Sequence, residues 1–143
     1  MSMPSLAEEG LEGLCKKILH LDNSIRFAGI ANNLGSLVAT AYRAGLIPLM
    51  DKQETSHYAI QAVLRAATRE DFESKIGRLE YSIGKYESLI RATIPIPIRL
   101  FGKGDDESKF YYLLLSFDLN SNVMDVIENK IMPFIRKSKE RKL

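Results

Sequence analysis

The chain has 143 residues, 45% hydrophobic and 27% charged, the balance of one folded domain and far from compositions that stay disordered. Its 20 basic and 18 acidic residues leave a net charge of +2, too little for a global field that draws nucleic acid or anionic membrane. Cys15 is the single cysteine, which excludes an intramolecular disulfide and leaves zinc and dithiol motifs without a second sulfur.

The opening MSMPSLAEEG lacks a positive stretch followed by an apolar core, and no run approaches the roughly 20 apolar residues of a membrane span. A cytoplasmic protein without membrane contact is expected. Ser5-Leu6-Ala7-Glu8 has the spacing of a capping box, and Leu11, Leu14, Cys15 and Ile18 follow as one apolar helical stripe. Cys15 lies on that stripe, which makes it a small core residue rather than a nucleophile.

Two runs rich in β-branched and aromatic residues, within Ile25 to Tyr42, flank Asn32-Asn33-Leu34-Gly35. Asn tolerates positive φ and Gly adopts it without steric cost, so this stretch reads as a β-hairpin. Leu46-Ile47-Pro48-Leu49-Met50 is apolar but irregular, and is either a loop tucked under the sheet, the favoured reading, or an exposed apolar patch that a partner covers.

From Asp51 to Ile76 the period is helical. Ile60, Val63, Leu64 and Ala67 make an apolar face that Phe72 and Ile76 continue, and Ala59, Ala62 and Ala66 widen it. Small side chains let a helix approach a sheet, or a second copy of itself, closely. Gly77 is placed for a left-handed helix end.

Arg78 to Tyr86 and Leu89 to Ile98 read as a second hairpin turning at Glu87-Ser88. Pro95 and Pro97 remove donors from one edge of its second strand, so that half should lie at the sheet margin or extend past its neighbour. FGKGDDESK, from Phe101 to Lys109, reads as a charged loop. Phe110 to Asp118 is the most continuously apolar strand and is placed at the sheet centre. A last helix is expected from Val123, kinked by Pro133, before a basic tail at about 136–143.

Enzymatic chemistry is not advertised. His20 and His57 are the only histidines and neither has a second ligand at metal spacing; no G-x-S-x-G elbow occurs. Asp105, Asp106 and Glu107 sit on a polar loop, where water opposes the pKa shifts that catalysis needs. Gly102-Lys103-Gly104 is a lone GxG, and the tail carries no aromatic residue to pair its charges with bases. The reading is a non-enzyme with no catalytic residue, no cofactor, no metal and no nucleic-acid partner.

These elements make one α+β domain over residues 1–143, with a five-stranded antiparallel sheet and the order αββαβββα. That order resembles the roadblock domain of the profilin-like group, which also holds longin and, more distantly, PAS domains. IRFAGIANNLGSLVATAYRAGLIPLM and LIRATIPI are also similar to a group of small archaeal proteins that share this hairpin and a proline in the later strand.

The roadblock resemblance implies dimerisation through the long helix and a neighbouring edge strand, and regulation of small GTPases without catalysis. Ala59, Ala62, Val63 and Ala66 are the expected homodimer face. The alternative is a PAS-like sensor with a small-ligand pocket between sheet and long helix, for which Tyr42, His57 and Tyr58 are the candidate polar groups.

Overall fold

The computed structural model describes residues 6–69, 72–97 and 110–140. Helix α1, Leu6–Leu19, buries Leu11, Leu14, Cys15 and Ile18, the stripe read from the sequence. Ser5, the expected cap, lies outside the described residues. Strands β1, Ile25–Ala31, and β2, Leu37–Tyr42, form the expected hairpin. Its turn is held by Asn32, whose Oδ1 accepts from the backbone N–H groups of Leu34 (2.9 Å) and Ser36 (3.0 Å), while Gly35 takes φ 85°.

Helix α2, Lys52–Arg69, opens on a reciprocal cap: the Glu54 N–H donates to Asp51 Oδ1 (2.8 Å), and the Asp51 N–H donates to Glu54 Oε1 (3.1 Å). The helical run is not continuous to Ile76. A separate turn, α3, Glu73–Ile76, buries nothing and ends at Gly77, where φ is 91°.

Strand β3, Ser82–Lys85, is shorter than the expected run from Arg78, and pairs with β4, Ile90–Pro97, only from Ile90 to Thr93. Pro95 and Pro97 therefore lie beyond β3 and pair only with β5, Phe110–Phe117. This is the placement that their missing N–H groups require. The stretch from Phe101 to Lys109 lies outside the described residues.

The antiparallel sheet runs β2-β1-β5-β4-β3, so the fully buried β5 is central. Alternation along its strands feeds two apolar layers. Ile30, Leu113, Leu115, Ile94 and Phe117 face α1 and the C-terminal helix; Phe27, Tyr112 and Leu114 face α2.

The C-terminal helix comprises α4, Val123–Val126, a π turn over Ile127–Ile131, and α5, Met132–Glu140. The wide turn comes just before Pro133, whose ring would otherwise press on the carbonyl four residues back. Thus the proline is accommodated upstream of itself. Lys130, within that turn, holds Asp22 at 2.6 Å and ties the helix to the α1–β1 connection.

Candidate interaction surface and pocket

The face that α2 turns to the sheet is Tyr58, Ala59, Ala62, Val63 and Ala66, all buried against β1 and β5. This corrects the expected dimer face. Ala59, Ala62, Val63 and Ala66 are committed to their own core, because alanines let the helix sink onto the bulky Phe27, Tyr112 and Leu114. The apolar residues left outside are Ile60, 45% exposed, and Leu64, 60% exposed, one helical turn apart. Phe72 and Ile76 follow them in sequence and are exposed as well.

Strand β3 lies last in the sheet order beyond β4, with half-exposed Ile83 upon it. A shallow groove between α2 and this strand is lined by Ala62, Arg65, Ser82, Gly84 and Arg91. The Arg65 side of α2 is thus flanked by a strand that, among the described residues, has a neighbour on one side only.

The sheet face under α2 carries a second feature. Register places Tyr42, Phe27, Ser116, Arg91 and Gly84 in one row across the five strands. The Phe27 ring leans over Gly29, where a β-carbon would lie 2.6 Å from it, and meets the Tyr42 ring at 4.9 Å. At the other end of the row the Arg91 guanidinium lies 3.6 Å from the centroid of the Tyr58 ring.

Small Ser116, between the two large side chains, leaves a hollow. Leu46, Pro48, Leu49 and Met50 border it from the β2–α2 connection, and about 50 Å³ of space remains inside. Of the two readings of this segment the favoured, tucked one does not hold and it is exposed instead: Ile47 is 85% and Leu49 61% exposed, and only Leu46 and Met50 are half-buried. A short run with a central proline has too few backbone partners to go deeper.

Of the three residues expected to mark a pocket, Tyr42 and Tyr58 line this one. His57 does not: it points outward from α2, where its Nε2 lies 3.2 Å from Gln61 Nε2. Burial pushes the Tyr58 phenol above its ordinary value, so it stays neutral. Arg91 and Ser116 escape a reading of the sequence because their meaning comes from pairing across strands far apart in the chain.

Beside the pocket, Arg43 grips Asp118 through two nitrogens at 2.6 and 3.0 Å, and Arg26 adds a third contact at 3.2 Å. These bonds hold the Asp118 carboxyl below the usual carboxylate range. Among the described residues no group of three or more His, Cys, Asp or Glu could hold a metal, and no helix is long and apolar enough to cross a membrane.

The architecture matches solved structures over nearly its whole length. The gliding protein MglB from Thermus thermophilus shares 13% identity, with 99% of this chain and 92% of that chain covered, at a TM-score of 0.67. A structure described as MglB with a tetrameric arrangement shares 14%, covering 99% and 91%, also at 0.67. A Roadblock/LC7 domain from Streptomyces avermitilis shares 9%, covering 92% and 96%, at 0.62.

The chain has a roadblock fold. At such identities the likeness is one of fold alone. No protein-family model matches the sequence, and no curated protein matches it. In this roadblock-like chain the outer face of α2, the β3 edge and the Ser116 hollow therefore have to be interpreted from their own chemistry.

Proposed function

We infer that the protein is a non-enzymatic, cytoplasmic interaction module that acts as a homodimer and regulates a small GTPase. The observation that carries this reading is the outer face of α2. Its inner face already fills the core, yet Ile60 and Leu64 remain largely exposed on its outer side. A second copy related by a two-fold axis would cover the same residues on both helices. Covering what remains exposed of Ile60 and Leu64 contributes roughly half of the 1.5–3 kcal/mol of a full side-chain burial each, which in a symmetric patch offsets part of the cost of association.

The tetrameric arrangement described for an MglB structure supports self-association as a use of this fold. The GTPase role rests on the roadblock resemblance. It is tested by titrating the protein against small GTPases of the same genome and measuring nucleotide hydrolysis and complex formation. A saturable change with wild-type protein, lost in Leu64→Arg, supports the reading; no change or complex with any of them refutes the GTPase role.

A further inference from the structure

Arg91 presents a charge with an unmet demand. Its guanidinium stacks on Tyr58 at 3.6 Å and stands 5.4 Å from the Tyr86 ring centroid; Nη2 donates to Met50 Sδ at 3.1 Å. A thioether is a weak acceptor, and a guanidinium has five N–H donors. Among the described residues no carboxylate lies within ion-pair distance of Arg91, whereas Arg26 and Arg43 both have Asp118. A half-buried cation without a counter-ion is costly, and stacking on aromatic rings returns only part of that cost.

The hollow beside it is complementary to an anion. Its lining includes Arg91 and Arg26 but no acidic residue, and Ser116, paired in register with both Phe27 and Arg91, supplies a hydroxyl between them. The rest is apolar, chiefly Phe27, Leu46 and Met50. About 50 Å³ is available, and a water needs roughly 10–15 Å³ by the same measure, so the space suits a head group and a few carbons.

We propose that this hollow is a binding site for a small aliphatic carboxylate, held bidentately by Arg91 with its alkyl body against Phe27 and Met50. The planar fork of arginine matches a carboxylate in a way that a point charge does not. The Ser116 hydroxyl donates to the same head group. This inference is independent of the dimer reading, because the outer residues Ile60 and Leu64 are not part of the lining.

The test uses isovalerate, its neutral amide isovaleramide, and inorganic phosphate, each titrated into ¹⁵N-labelled full-length protein. Saturable shifts of the Ser116, Met50 and Arg91 amide signals are expected with isovalerate, at least tenfold weaker binding with isovaleramide, and none with phosphate. Arg91→Gln should weaken isovalerate at least tenfold, and Ser116→Val, which fills the floor with a strand-compatible side chain, should abolish it. Both variants are checked for a native spectrum, and either one, if folded, suffices. Absence of saturable shifts, equal binding of acid and amide, undiminished binding by a folded variant, or phosphate binding as tightly as isovalerate would each overturn the site.

Discussion

Gly35 faces the backbone of Ile60 so closely that a β-carbon on Gly35 would lie 2.7 Å from the Ile60 α-carbon. The β1–β2 turn therefore rests directly on the middle of α2, and sequence, turn and packing all require glycine here. Gly35→Ala adds the strain of φ 85° to a backbone collision, and is expected to cost about 2 kcal/mol or more. Urea denaturation checks this through the shift of midpoint at constant slope.

The Asp22 cluster contributes to the acid limb of stability. Hydrogen bonds from Lys130 and Ser24 hold the Asp22 carboxyl at about 2, below its ordinary 3.8. A depressed folded value means the unfolded chain takes the proton first. The stabilisation is complete above about pH 4 and lost as pH falls toward 2. Asp22→Asn should therefore be less stable at neutral pH and show a shallower loss between pH 4 and 2, measured by thermal melts across that window.

Burial, reinforced by Glu12, pushes the Cys15 thiol up to about 12 from 9.0. The folded chain resists ionising this group more than the unfolded chain does, so stability falls as pH rises from about 9 toward 12. Iodoacetamide at pH 8 should leave Cys15 unmodified in native protein and alkylate it fully in denaturant. Rapid native alkylation would contradict the packing of α1 described above.

Two arginine substitutions on α2 separate its faces. Ala62 is 2% exposed against the sheet, so Ala62→Arg forces a large charged side chain into packed core and should cost about 3 kcal/mol or more. Leu64 is 60% exposed, so Leu64→Arg should leave the far-ultraviolet spectrum and monomer packing unchanged while blocking association. Circular dichroism melts distinguish the two.

Much of this arrangement is legible in the sequence where a local rule acts alone. Asn32 and Gly35 announce their turn, the unbroken apolar run of β5 announces the sheet centre, and Pro95 and Pro97 announce an uncovered margin. The inward face of α2 is not legible in the same way. The sets 59, 62, 63, 66 and 60, 63, 64, 67 both match a helical stripe, and only the bulky sheet residues opposite decide that alanines go inside.

The length of β3 is overestimated from sequence because Leu79, Tyr81 and Ile83 alternate, although only the last lies in the strand; Tyr81 instead donates to Glu128 at 2.6 Å. The Ser116 hollow has no local signal at all. It arises from a row of side chains drawn from four strands, and register is a property of the assembled sheet.

Solution mass by light scattering over a wide concentration range tests the central claim most directly. The wild-type mass is expected to be twice 16.1 kDa, and that of Leu64→Arg 16.1 kDa with its fold intact. A wild-type mass of 16.1 kDa at every concentration would contradict the dimeric module, and a dimer undisturbed by Leu64→Arg would contradict the assignment of its interface to the outer face of α2.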